Sequence, residues 1–104
     1  MSDSASFQTD PLRLLGSRDP VTADVYFPPR ALTVDGSLRA CEPVELSTEG
    51  TLYAWTEFNK VAYGQVDLPE GPRILTRIAP GEHQIGATYV LEADADHQWR
   101  FRRA

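Results

Sequence analysis

The chain has 104 residues, 41% of them hydrophobic, and a formal net charge of −5. This length and composition fit one domain with a modest core and argue against a disordered chain. The acidic balance disfavours a nucleic-acid binder, which neutralises phosphates with a basic surface, and no apolar run approaches the roughly 20 residues of a membrane-spanning helix.

The first possible element is a short helix near the N-terminus. Asp10 is a suitable N-cap, and Pro11 suits the first helical position because its missing N–H costs nothing there. Leu12, Leu14 and Leu15 would follow, and Gly16 would end the element. We therefore predict a helical turn at this point.

The next segment predicts a strand and a hairpin. Residues 22–27 are rich in β-branched and aromatic side chains, and Pro28-Pro29 stops the strand because proline cannot donate to a ladder. Asp35-Gly36 is the strongest hairpin turn of the sequence, with residues 31–34 and 37–40 as its arms.

From Pro43 onward the pattern is continuous β structure. In residues 51–58 the alternation predicts Leu52, Ala54, Thr56 and Phe58 on one face and Tyr53, Trp55 and Glu57 on the other. In residues 73–78 it predicts Ile74, Thr76 and Ile78 opposite Arg73, Leu75 and Arg77. The strands of this half are predicted over residues 44–47, 51–58, 61–68, 73–78, 87–92 and 98–102.

Short strands joined by tight turns, with no long helix between them, indicate a sandwich or a small barrel. A five-stranded OB-fold barrel has the right size, although periodicity alone does not separate it from other small barrels. The fold class that the pattern predicts is all-β, and a five-stranded OB-fold barrel after a short helix and a hairpin is one form that it allows.

An ordered series of short motifs resembles the acyl-CoA-associated OB-fold family, whose members carry a rubredoxin-like zinc ribbon before an OB barrel. The series spans residues 14–101. It comprises Phe27-Pro28-Pro29-Arg30, Gly36-Ser37, Gly50-Thr51-Leu52-Tyr53-Ala54-Trp55-Thr56, the segment from Tyr63 to Arg73, Ile85-Gly86 and Trp99-Arg100-Phe101.

The resemblance implies two regions and a role. Residues 1–41 would form the N-terminal segment and ribbon hairpin, and residues 42–104 the OB barrel. Members of the family associate with thiolases, thiolase-like lyases, synthases or hydratases that act on acyl-CoA. The expectation is therefore a non-catalytic accessory subunit, not itself an enzyme, which binds such a partner and helps to form its acyl-CoA site.

The zinc ligands of that family are missing from this sequence. The two Cys-x-x-Cys pairs would fall near Asp19 and Thr22 and near Leu32 and Asp35, and none of these is cysteine. A structural zinc site needs four ligands, usually thiolate or imidazole. We therefore expect no metal and no cofactor, and a degenerate ribbon that survives as a bare hairpin.

The residues also give little support for intrinsic catalysis. A nucleophile needs a base and an orienting group, and Cys41 has no histidine near it in sequence. His83 lies in a predicted turn. An acidic turn between strands is the interpretation that best fits Asp94, Asp96 and His97. The lone Cys41, and the absence of a signal-peptide pattern in residues 1–9, favour a cytoplasmic location.

Aromatic and arginine side chains are the candidates for binding a ligand or a partner. Large aromatics can stack on a ligand or pack on another subunit, although they are also common barrel cores. Arginine favours bidentate phosphate contacts. Three roles stay open: an enzyme-accessory subunit, a stand-alone acyl-CoA or small-ligand binding module, and a single-stranded nucleic-acid binder. The candidate residues are Phe27, Arg30, Tyr53, Trp55, Phe58, Tyr63 and Arg73.

Overall fold

The computed structural model describes residues 6–33, 38–95 and 98–104, and within these ranges the chain is all β. The predicted turn at Asp35-Gly36 lies outside them. The described strands form two sheets. They are β1 (Phe7–Thr9), β2 (Leu12–Arg18), β3 (Val25–Tyr26), β4 (Glu42–Glu45), β5 (Glu49–Phe58), β6 (Val61–Asp67), β7 (Arg73–Arg77), β8 (Thr88–Asp94) and β9 (Gln98–Arg103).

The predicted N-terminal helix is wrong, because its residues form β2. This strand pairs antiparallel with β1, β3 and β4, so its backbone groups are hydrogen-bonded on both sides. Asp10-Pro11 occupies the turn between β1 and β2. The periodicity of a short apolar run such as Leu12–Leu15 fits a helix or a strand equally well. Here the hydrogen-bonded pairing with distant strands stabilises the strand.

The second sheet has the order β7-β6-β5-β8-β9, with antiparallel neighbours throughout. It curls until its two edge strands meet. Ile78, just after β7, forms a parallel bridge with Phe101 of β9, and the Ala79 N–H donates to the Phe101 carbonyl at 2.9 Å. We call this element the curled sheet.

A β-bulge in β5 changes the predicted faces of that strand. Leu52 lies opposite Val66, but Ala54 lies opposite Gln65, so Tyr53 is an extra residue in the ladder. A one-residue shift moves every following side chain to the other face. Trp55 therefore shares the inner face with Leu52, whereas Thr56 and Phe58 lie on the outer face.

The core fills the concave side of the curled sheet and the face of the first sheet that covers it. Leu14 and Leu46 come from the first sheet and its exit, and the remaining members come from the curled sheet. Close approach of strands also constrains Gly50, where a Cβ would lie 2.6 Å from the Asp67 carbonyl oxygen. The buried apolar residues are Leu14, Leu46, Leu52, Val66, Leu68, Ile74, Ile78, Tyr89 and Phe101.

The segment before the curled sheet keeps part of the predicted hairpin. Leu32 and Ala40 form an isolated antiparallel bridge, and the Thr33 and Cys41 N–H groups donate to Arg39 and Ala31 carbonyls. In the part of the chain that the structure describes, no helix is long and apolar enough to span a bilayer.

Candidate functional site

The convex side of the curled sheet carries the largest group of candidate residues. Registers place Thr56 beside Tyr63, and Gln65 beside both Ala54 and Leu75. Phe58 and Leu75 are 67% and 72% exposed, which is unusual for side chains of their size on a regular strand. We call this surface the outer face. It comprises Tyr53, Ala54, Thr56, Phe58, Tyr63, Gln65 and Leu75.

A stacked arginine borders the outer face. The Arg73 guanidinium lies 3.4 Å from the centroid of the Tyr53 ring, which the bulge turns towards β7. Asp67 holds the guanidinium from the other side, at 2.6 and 3.1 Å. The hydrogen bonds that Arg73 donates to the Asp67 carboxylate raise the pKa of Arg73 above its ordinary value. The pair therefore presents a fixed cation on an aromatic ring, a common arrangement at binding surfaces.

Trp55 lies elsewhere, at the mouth of the curled sheet. Its ring centroid is 5.0 Å from that of His83, which lies in the connection between β7 and β8. The Nδ1 atom of His83 is 2.6 Å from the hydroxyl of the buried Tyr89. The Trp55 and His83 rings wall a cavity of about 190 Å³, which Lys60 and Arg77 also line.

Phe27 and Arg30 lie on the N-terminal side of the molecule. Phe27 packs edge-on against Trp99 of β9, with ring centroids 6.2 Å apart, and so connects the hairpin segment to the curled sheet. Arg30 lies over the Tyr26 ring at 5.8 Å. It also lines a mostly apolar groove of about 510 Å³ together with Leu15, Cys41 and Val44.

The seven predicted residues therefore fall into three places. Tyr53, Phe58, Tyr63 and Arg73 share the outer face or its border, Trp55 lies at the mouth, and Phe27 and Arg30 lie on the N-terminal side. The strand registers bring the first four together although they span 21 positions of the sequence. Their predicted roles remain proposals.

Sequence reasoning missed a buried ion pair. Asp19 is 1% exposed at its side chain, and its carboxylate accepts hydrogen bonds from Arg39 at 2.5 and 3.1 Å. It also accepts from the Val21 N–H and the Thr22 hydroxyl. The Asp19-Pro20-Val21-Thr22 spacing is typical of a carboxylate that caps its own turn, and this signal was available in the sequence.

The described residues at the positions where zinc ligands would fall are not zinc ligands and make other contacts. Asp19 and Thr22 bond to each other, and Leu32 is exposed. Within residues 6–33, 38–95 and 98–104, no three His, Cys, Asp or Glu side chains converge as metal ligands would. Asp35, Asp96 and His97 lie outside the described residues. Cys41 is a half-buried free thiol in the 510 Å³ groove.

Comparison with known proteins adds one informative likeness. No protein-family model matches the chain, and no curated protein sequence matches it significantly. A solved structure described as "Ltp2-ChsH2(DUF35) aldolase" is similar to it, with a TM-score of 0.66 and 25% sequence identity. The likeness covers 88% of this chain and 84% of that one. It supports the resemblance to the acyl-CoA-associated family, of the DUF35 type.

The same comparison contradicts the expectation that the chain is not an enzyme. The structure that it resembles over most of its length is described as an aldolase. Our expectation came from the family resemblance, and the lack of a nucleophile next to a base in the sequence agreed with it. A search for such a pair within one sequence cannot detect an active site whose groups come from several chains of a complex, because those groups have no fixed spacing within one chain.

Proposed function

We propose that the chain is a DUF35-type subunit of a lyase or thiolase-like enzyme complex that acts on acyl-CoA thioesters. The observation that carries this proposal is the likeness to the Ltp2-ChsH2(DUF35) aldolase over 88% of the chain. In this proposal the chain contributes to the acyl-CoA site of the complex. Its location is cytoplasmic, and neither nucleic acid nor membrane is a partner.

The finer fold assignment belongs to the same proposal. We infer that the curled sheet is an OB-fold barrel. The strand order, the antiparallel β5–β8 pair and the parallel bridge between Ile78 and Phe101 support this assignment. The bridge between Leu32 and Ala40 supports a degenerate, metal-free ribbon in residues 1–41, with the barrel in residues 42–104.

The outer face is the surface that we propose for the enzyme partner. Phe58, Leu75 and Tyr53 expose large side chains on the same face of the curled sheet, and exposed apolar surface of this kind is characteristic of protein interfaces. The Arg73–Tyr53 stack adds a fixed cation at the border. Arginine and tyrosine are the residue types that most often dominate interface energies. Phe27 and Arg30 would contribute from the N-terminal side.

An affinity pull-down from native lysate tests the proposal. We expect tagged protein to recover an enzyme of acyl-CoA metabolism at near-equal stoichiometry, identified by mass spectrometry. The double variant Phe58→Gln, Leu75→Gln should reduce recovery at least about tenfold, because it removes the two most exposed apolar side chains of the outer face.

A matched control keeps the number of lost apolar groups constant. The double variant Val21→Gln, Ile85→Gln changes side chains that are 70% and 61% exposed but lie off the outer face, and it should retain the partner. Recovery of the chain alone, or of a partner unrelated to acyl-CoA, contradicts the proposal. A loss of partner that is equal in both double variants contradicts the outer face as the docking surface.

A further inference from the structure

The cavity at the mouth of the curled sheet concentrates positive charge in an acidic protein. Three of the ten basic side chains, Lys60, Arg77 and Arg100, line it, against one of the fifteen carboxylates, Glu57. Arg100 pairs with Glu92 at 2.5 Å, which fixes its guanidinium and offsets part of its charge. Lys60, the lysine of the turn between β5 and β6, makes no ion pair within the described part of the chain. The cavity therefore favours an anion.

A buried nitrogen in the same wall has no partner. The Nε2 atom of His83 is buried and makes no hydrogen bond. The Tyr89 hydroxyl lies 2.6 Å from Nδ1, so this ring nitrogen is already hydrogen-bonded. The wall thus contains one ring nitrogen without a partner, and native structures rarely leave such a group unmatched.

The size of the cavity limits what it can hold. At about 190 Å³ it is smaller than the roughly 300–1,000 Å³ of pockets that enclose drug-sized ligands. It therefore suits an ionic head group rather than a whole cofactor. The Trp55 ring forms one wall beside His83, so a flat group attached to the anion would find an aromatic surface at the opening.

We propose that this mouth cavity is a phosphate-binding site, in which Lys60, Arg77 and Arg100 contact the oxyanion and Trp55 borders it. Three cationic residues around one small cavity carry the inference, and the unpartnered imidazole nitrogen of His83 lies in the same wall. Phosphate supplies several acceptor oxygens at once, and hydrogen bonds between ionised partners are the strong ones. Arg77 lies opposite Tyr63 in the β6–β7 register, so this site borders the outer face.

Nuclear magnetic resonance on the ¹⁵N-labelled chain tests the site with inorganic phosphate as the probe, at constant ionic strength. We expect saturable shifts of the Trp55 indole N–H and of the backbone amides of Lys60 and His83. In Lys60→Gln the dissociation constant should rise about tenfold, the loss expected for one charge-assisted hydrogen bond. Lys60 is exposed in a turn, so this variant keeps the fold.

The matched control is Arg18→Gln, which removes the same charge from the first sheet, where Arg18 pairs with Glu42. It should leave the phosphate affinity unchanged. Adenosine monophosphate distinguishes the source of the group: tighter binding than phosphate means that the phosphate is carried on an aromatic ring, and equal binding means free phosphate. No saturation by either below about 10 mM, or equal losses in Lys60→Gln and Arg18→Gln, would overturn the proposal.

Discussion

Phe101→Ala should lower the free energy of unfolding by about 3–5 kcal/mol, the usual cost of deleting a buried phenylalanine side chain. Phe101 is fully buried on β9, and its backbone forms the parallel bridge with Ile78 that joins β9 to the end of β7. Trp99 packs edge-on against its ring at 6.3 Å. A domain of this size has about 5–15 kcal/mol of stability in total. The variant should therefore be marginally folded.

Urea denaturation followed by circular dichroism measures this loss. The control is Phe58→Ala, which deletes the same atoms from a phenylalanine that is 67% exposed and should change stability by no more than about 0.5 kcal/mol. The m-value of Phe101→Ala should stay near that of the unmodified chain if the variant still unfolds in one step. Equal losses in both variants would show that Phe101 does not help to hold the curled sheet together.

The regular strands of the curled sheet were predictable from alternation alone. In β7 and its exit the sequence predicted Ile74, Thr76 and Ile78 on one face, and all three are buried, whereas Leu75 is 72% exposed. The prediction succeeds because this strand has no irregularity, so a period of two holds from end to end. The all-β class follows from several such segments separated by turn residues.

The predictions that failed have two physical causes. In β5 the extra residue at Tyr53 reverses the faces beyond it, and a bulge leaves no mark on a pattern of apolar residues. In β2 the run of leucines fits a helix as well as a strand, and pairing with β4, some 30 residues later, settles the outcome. Both causes are long-range contacts that a local pattern cannot contain.

The candidate residues show the same division. Aromatic and arginine side chains could be chosen from the sequence, but their neighbours could not. Tyr53 of β5 stacks on Arg73 of β7 across the intervening strand β6. Trp55 packs on His83, which lies in the connection after β7. His83 had been considered only as a turn residue. Nothing in its local sequence shows that Tyr89 would fix one ring nitrogen and leave the other buried.

Asp19→Asn should detach the hairpin segment from the loop that precedes it. The Asp19 carboxylate accepts two hydrogen bonds from Arg39, which lies in the second arm of the hairpin, and two more from its own turn. Asparagine keeps the shape but cannot pair with the guanidinium. We expect a lower urea midpoint than in Glu42→Gln, which breaks an exposed pair worth at most about 1 kcal/mol.

The effect should depend on pH with a definite sign. The hydrogen bonds from Arg39 hold the pKa of the Asp19 carboxyl far below its usual value, and those from Val21 and Thr22 lower it further, whereas burial opposes them. A carboxyl whose pKa is lower in the folded state stabilises the fold above its ordinary pKa of about 3.9, and this contribution is lost as the pH falls. The difference in midpoint between the unmodified chain and Asp19→Asn should therefore be full at pH 7 and shrink below about pH 4.

Arg39→Gln separates this ion pair from a general effect of the turn. If the bonds between Asp19 and Arg39 hold the hairpin, Arg39→Gln should lose the pH dependence together with the stability, and the double variant with Asp19→Asn should be little worse than either single one. Additive losses would mean that the two side chains act separately. A midpoint difference that persists unchanged at pH 3 would show that the charge of Asp19 contributes nothing to the fold, and that the hydrogen bonds within its own turn are sufficient.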